Sequence, residues 1–235
     1  MTTSMARDTL TIYHFPPGSI PPERAESYLT DSETSRAAAF RFPADAAHWS
    51  ACRATLRQIL GAWLGIPPRD VPIIISPSGK PLLAPPLDSI HFNLSHSREL
   101  ALIAVNPHSP VGIDLEPLNR APSLIGCEST FCHPEEIASL PTEEVARADE
   151  LLRLWTAKEA YVKALGTGFS TPPETIRILT RHDGIFVAGS ADGISLVRLQ
   201  HPALNQHLAH LCSLQHGGPA EITGVSEMPS DAAPT

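Results

Sequence analysis

The feature that most constrains the fold is an alternation: two long helical patterns, each set beside a group of short β-branched runs. From Asp45 to Leu64, the residues Trp49, Cys52, Leu56, Ile59 or Leu60, and Trp63 follow the three-and-four spacing of one buried helix face. Asp45 is placed to cap its start, and Gly65 followed by Pro67 to end it. The runs "VPIIIS", "IHFNLS", "LALIAVN" and "VGIDLE" come next, and their lengths and composition predict strands. "SPSGKP" makes a turn between the first two, with Gly79 supplying the flexible backbone. A short helix is expected at "HPEEIASL", with Pro134 in its first turn. A longer one follows from Glu143 to about Leu165, capped by Thr142 and ended by "GTG" at Gly166 to Gly168. "TIRILTRHDGIFVAG", "ISLVRLQ" and "HLAHLCSLQ" read as a hairpin and further strands, turning at Asp183-Gly184 and Asp192-Gly193. Helix, strands, helix, strands implies an α+β protein of two similar halves in tandem, with no residue-level repeat between them.

Composition removes several function classes. The chain has 235 residues, 42% hydrophobic and 18% charged, as expected of a soluble globule with a real core. No apolar run approaches the roughly 18 residues of a spanning helix, so no membrane role is expected. The N-terminus lacks the apolar region of a secretory signal. Cys52, Cys127, Cys132 and Cys212 form no CxxC pair and suggest no disulfide framework, which points to reduced thiols in the cytoplasm. A net charge of −8 argues against nucleic acid as a partner and requires any anionic ligand to be met by a local cluster of cations. The last stretch, "GGPAEITGVSEMPSDAAPT", turns polar and Pro-rich, and residues 230–235 are expected to be a flexible tail.

The second long helix carries an oddity. Ala148, Leu152, Trp155, Glu159 and Val162 share one stripe, and a carboxylate there is costly unless a cation meets it. "VGIDLE" alternates, so Asp114 and Glu116 point to one face of a strand. Separately, each observation has an ordinary explanation: solvated acids at a strand end, and a weak (i, i+4) pair of Glu159 with Lys163. Together they describe an oxygen-only site suited to Mg²⁺, which binds through few carboxylates and substrate phosphates. The candidates for meeting an anion beside it are Lys158, Lys163, Ser95, His96 and Ser97 of "NLSHS", Lys80 of "GKP", and Arg53 in the first long helix. His201, His207 and His210 lack an accompanying acid and read as structural or surface residues. No Walker loop, GxGxxG fingerprint or GxSxG elbow is present.

"GKP", "NLSHS", "VGIDLE", "F…EE" and "WTAKEAYVKALGTG" occur in an order and spacing that resemble the 4′-phosphopantetheinyl transferases, in particular the surfactin-synthetase-activating, pseudo-dimeric type. The resemblance spans about Arg53 to Gly168. It implies two α+β halves with coenzyme A in the cleft between them. The division would fall at 1–110 and 111–229, with the metal site in the second half. The implied reaction moves 4′-phosphopantetheine from coenzyme A to a serine of an apo acyl or peptidyl carrier protein, in a monomer, releasing adenosine 3′,5′-bisphosphate. Carried over by position, Asp114, Glu116 and Glu159 would hold Mg²⁺, and Lys158 and Lys163 the pyrophosphate. Ser95 and His96 would contact coenzyme A phosphates, Arg53 the 3′-phosphate, and Lys80 the adenine pocket, with Arg36 and Arg41 adding phosphate contacts. Glu136 would be the base for the serine proton, with Glu135 or a metal-held water as alternatives, and Lys163 would assist catalysis. Cys132 stands where the family commonly has an aromatic. Carrier docking is expected at an apolar groove around Phe131 to Leu140. Two other readings are a catalytically silent coenzyme A binder and a Mg²⁺-dependent phosphatase or nuclease.

Overall fold

The N-terminal half starts with β1 (Thr11–Phe15), passes through α1 (Pro22–Tyr28), α2 (Asp31–Ala38) and α3 (Pro43–Leu64), and continues into β2 (Ile73–Ile75), β3 (Pro81–Leu83), β4 (His91–His96) and β5 (Ala101–Asn106). The C-terminal half comprises β6 (Val111–Pro117), α4 (Glu128–Phe131), α5 (Pro134–Ser139), α6 (Glu144–Leu165), β7 (Ile178–Arg181), β8 (Gly184–Val187), β9 (Ser195–Arg198) and β10 (His207–Ser213), before a last strand β11 (Glu221–Gly224). The computed structural model describes residues 9–181, 184–190, 193–215 and 220–224. Asp183, Asp192 and the tail expected at 230–235 lie outside them. None of the described helices is long and apolar enough to cross a membrane.

Two similar α+β halves result, each a sheet with one long helix against it. One sheet has the order β11-β1-β5-β4 and the other β6-β10-β9-β8-β7, while β2 and β3 form a separate hairpin. The hairpin turns at Gly79, whose φ of +88° suits a residue without a Cβ. A boundary at 110/111 falls between β5 and β6, yet β11 returns to pair parallel with β1 in the N-terminal sheet.

Two helix starts differ from expectation. Phe42 rather than Asp45 is the N-cap of α3, because Pro43 can occupy the first turn without losing a needed N–H. Glu143 rather than Thr142 caps α6, its carboxylate accepting from the N–H groups of Val145 and Ala146. Strands β1, β3 and β11 and helices α1, α2 and α4 add to the elements legible in the sequence.

Of the four apolar clusters among the described residues, three build the core around the sheets. Leu56, Ile59, Leu60 and Trp63 of α3 pack on Tyr13, Phe15, Ile103 and Val105 of the N-terminal sheet. Leu151, Leu152, Ala157 and Ala160 of α6 pack with Leu208 and Cys212 of the C-terminal sheet. Between the halves, Ile12, Leu102 and Ala104 meet Val111, Ile113, Leu115, Ala209 and Leu211. The odd-numbered residues of β6 thus face the interior between the sheets. By the two-residue period of a strand, Gly112, Asp114 and Glu116 face α6.

The edge strands β4 and β6 close the seam between the sheets through side chains. The Ile113 N–H donates to Asn93 Oδ1 at 2.9 Å, and the Leu115 N–H to Ser95 Oγ at 3.1 Å. Asn93 and Ser95 of "NLSHS" therefore satisfy backbone donors that a continuous sheet would pair with carbonyls.

His210, read from sequence as a structural or surface residue, is fully buried on β10, and its Nδ1 lies 2.7 Å from Thr156 Oγ1. Burial lowers its pKa to about 3. The unfolded chain takes up this proton near the ordinary histidine value, so the stability it contributes is full above about pH 6.5 and declines as pH falls toward about 3. His210→Gln should therefore lose less melting temperature than wild type between pH 6.5 and roughly 4. Parallel declines in thermal denaturation would contradict this assignment.

Candidate active site

The approach of α6 to β6 sets the site. Gly112 makes it possible: a Cβ there would lie 2.1 Å from the Ala160 carbonyl oxygen and 2.3 Å from the Ala164 nitrogen. With the helix this close, Glu159 and Lys163, one turn apart on one face, stand over Asp114. Ser95, His96, Asp114, Glu116, Trp155, Glu159 and Lys163 line one cavity of about 260 Å³.

Asp114 is its buried centre, 4% exposed. Its Oδ1 accepts from Lys163 Nζ at 2.6 Å and from the Ser95 hydroxyl at 3.1 Å. Its Oδ2 is buried with no hydrogen-bond partner among the described residues. A carboxylate oxygen in that position is an available ligand, since leaving it unpaired is costly. Glu116 accepts from Trp155 Nε1 at 3.1 Å and pairs with Arg120, whose guanidinium also lies over the Trp155 ring. Burial pushes the Glu159 carboxyl above the usual range; the Lys163 ammonium opposes this, while the Asp114 charge adds to it. Three carboxylates around one cavity, with one unpartnered buried oxygen, form a hard-oxygen donor set that fits a Mg²⁺-class cation.

Of the residues expected to meet phosphate, Lys163 lines this cavity. His96 lines it as well, but its Nδ1 is 3.0 Å from His48 Nε2, and burial lowers both imidazole pKa values. Ser95 also lines it, with its proton committed to Asp114 and its oxygen accepting from Leu115. Arg53 is placed elsewhere, on α3, 3.5 Å from Glu33 and over the Trp49 ring, with Arg36 over the same ring. Its Nη1 is buried without a partner among the described residues, and burial lowers its pKa while Glu33 opposes the shift. Arg41 lies over Phe42. Lys80 lines a second cavity of about 360 Å³ with Leu82, Asp88, His91 and Gly166. Its ammonium, however, donates to the carbonyls of Val111, Lys163 and Ala164, fixing the C-terminus of α6. Burial brings its pKa down to about 8.

Two of the expected site residues lie apart from this cavity. Lys158 is 1% exposed and donates to Glu136 Oε2 at 2.6 Å, to Phe131 O at 2.7 Å and to Pro173 O at 3.1 Å. One residue along a helix is a turn of about 100°, so Lys158 points away from the cavity that Glu159 and Lys163 enter. Glu136, 5% exposed, accepts from Lys158 and from the N–H groups of His133 and Ile178. Neither lines the acidic cavity; the pair pins α5 and the start of β7 to α6. Glu135 is exposed and pairs with Arg177 at 2.6 Å. The docking groove expected at Phe131 to Leu140 is also absent as an apolar surface: Phe131, Cys132 and Leu140 are core residues, and Ile137 is half-buried against them.

Removing one member of a buried pair strands the other, at a cost of about 3–5 kcal/mol. Glu136→Gln should accordingly lower the melting temperature sharply, and a Glu136→Gln/Lys158→Met double variant should recover much of it. A stable Glu136→Gln protein with lost turnover would restore Glu136 as a reacting group.

Trp155, placed from the sequence only on the stripe of Glu159, completes the surroundings with Arg120, Asn93 and His48, which the sequence reading does not single out. Asn93 carried a signal, lying two residues before Ser95 and so on the same strand face. His48 carried another, four residues before Cys52 on the first long helix.

Residues 110–212 match the family model of the 4′-phosphopantetheinyl transferase superfamily, and residues 20–108 match that of the 4′-phosphopantetheinyl transferase N-terminal region. The 4′-phosphopantetheinyl transferase HetI of Nostoc sp. is 39% identical over 173 residues, 68% of this chain and 72% of its own length. The 4′-phosphopantetheinyl transferase Sfp of Bacillus subtilis is 26% identical over 162 residues, 69% of this chain and 71% of its own. A solved holo-ACP-synthase from Plasmodium yoelii aligns with 45% of this chain and 94% of its own at 19% identity, with a TM-score of 0.36. By its match to HetI and to both family models, this chain belongs to the 4′-phosphopantetheinyl transferase superfamily.

Proposed function

We propose that the protein transfers 4′-phosphopantetheine from coenzyme A to a serine of an apo acyl or peptidyl carrier protein, in the cavity of Asp114, Glu116, Glu159 and Lys163. The unpartnered Oδ2 of buried Asp114 carries this reading, because it marks a ligand position among acids in a chain of this family. In the transfer, the serine oxygen forms a bond to the phosphorus that bears the pantetheine arm. The bond from that phosphorus to the bridging oxygen breaks, and adenosine 3′,5′-bisphosphate leaves with the electron pair. Such a reaction asks the protein for positioning and charge neutralisation rather than covalent help.

Lys163 faces the pyrophosphate from α6 and stabilises the charge that develops on the bridging oxygen. Asp114 holds Lys163 in place, and Ser95 fixes the Asp114 carboxylate. With Glu136 engaged by Lys158, the carboxylates of the cavity are left to receive the serine proton. Bound among Asp114, Glu116 and Glu159, Mg²⁺ would supply Lewis-acid stabilisation of the phosphate oxygens. Arg53 and Arg36, grouped around Trp49, are the cations we assign to the 3′-phosphate end, supported by the unpartnered Arg53 Nη1. The second cavity, with Lys80 on its wall, is the candidate for adenine. We further assign the protein to the cytoplasm as a monomer: its cysteines are free thiols, and both halves of the site come from one chain.

The metal reading is tested with Mn²⁺ as the probe, followed by loss of the free-ion paramagnetic resonance signal. Wild type should bind one equivalent, with affinity weakened at least about tenfold in Glu159→Gln. Unchanged affinity in that variant would remove Glu159 from the ligand set.

A further inference from the structure

His48, Cys52 and His96 meet beside the acidic cavity without any of them being needed to hold a hard cation. We propose that these three side chains form a second, separate cation site, selective for a borderline transition ion of the zinc class. His48 and Cys52 lie four residues apart on α3 and so share a helix face, while His96 reaches them from the end of β4. One ligand atom from each lies within 4.8 Å of the others, and the two imidazole nitrogens are 3.0 Å apart. Tetrahedral zinc, with bonds of about 2.0–2.3 Å, needs ligand atoms spaced by about 3.3–3.8 Å, so shifts of about 1 Å close the site.

The donor chemistry sorts the ions. Two imidazoles and a thiolate suit Zn²⁺, whereas the carboxylates around Asp114 suit Mg²⁺. His96 is exposed and offers an entry path with an open fourth position, while the thiol of Cys52 lies inside at 1% exposure. Burial holds that thiol protonated, with a pKa pushed up to about 12, so binding forms the metal–sulfur bond as the S–H proton is released to solvent. The competing account is a plain His–His hydrogen bond, which requires no participation from Cys52.

Occupancy has a consequence that rests on the coenzyme A reading. His96 also lines the Asp114 cavity, so an ion held there takes up the imidazole assigned to coenzyme A phosphate and slows transfer.

Co²⁺ tests the site directly, because a cobalt–thiolate bond gives its own charge-transfer absorption. Chelator-treated protein should bind one equivalent with that band and the visible bands of tetrahedral cobalt, both displaced by Zn²⁺. Asp114→Asn should keep the bands and Cys52→Ala should lose the charge transfer. His48→Gln, at a half-exposed position, should weaken cobalt binding at least about tenfold even if Cys52→Ala folds poorly. No charge-transfer band in wild type, a band that persists in Cys52→Ala through exposed Cys127, or unchanged affinity in His48→Gln would overturn the site. Zinc bound there without slowing transfer would overturn only the consequence, leaving the Asp114 reading untouched.

Discussion

Asp114→Asn should reduce the rate of phosphopantetheine transfer by roughly two to three orders of magnitude while leaving a folded protein. Asparagine keeps the volume and an oxygen that can accept from Ser95, so the seam between β4 and β6 survives. What is lost is charge. Lys163, 2.6 Å from Oδ1, no longer has a carboxylate to hold it against the substrate. The buried Oδ2, the position assigned to the cation, becomes an amide or a neutral oxygen. Steady-state rates measured across a Mg²⁺ titration give the comparison, and a rate within a few-fold of wild type would show that the acid is structural. Lys163→Met should also be impaired, with a Mg²⁺ dependence closer to wild type, because it leaves the three acids in place.

The second large effect concerns a residue with no side chain. Gly112→Ala should destabilise the protein by at least about 1–3 kcal/mol, because the added Cβ meets backbone atoms of α6 that cannot rotate away. The Ala160 carbonyl and the Ala164 nitrogen lie within 2.3 Å of that position, so the helix itself has to move. For a chain of this size the loss corresponds to a melting-temperature fall of about 2–4 °C per kcal/mol. Because Glu159 and Lys163 ride on the same helix, transfer should fall as well at temperatures where the variant is still folded. An unchanged melting temperature would mean that α6 and β6 are further apart than described.

The long helices and the strands that carry the site were legible because each presents a clean period. Leu56, Ile59 and Trp63 mark α3, and the alternation in "VGIDLE" marks β6 with its two acids on one face. Those same periods put Asp114 and Glu116 on one strand face and Glu159 on the buried helix stripe, but they do not give the packing of that stripe on that face. The position of Lys158 follows from the helical period: a neighbour in sequence lies about 100° away around the helix from Glu159, and this one meets Glu136 in the core. Glu136 and the apolar residues of the expected docking groove were illegible for a different reason. Pattern in a short helix does not reveal whether its charged face turns to solvent or to a buried lysine. The pairing of β11 with β1 joins segments about 200 residues apart, beyond the reach of any local pattern. The roles of Ser95 and Asn93 at the seam depend on two sheet edges meeting, which the sequence of either strand does not state.

The most direct test of the central claim is the intact mass of an apo carrier protein incubated with this protein, coenzyme A and Mg²⁺. The account predicts a mass gain of one phosphopantetheine arm on the carrier serine, abolished by EDTA and by Asp114→Asn. A carrier whose mass never changes, across acyl and peptidyl types, under conditions where coenzyme A binding is measurable, would contradict it.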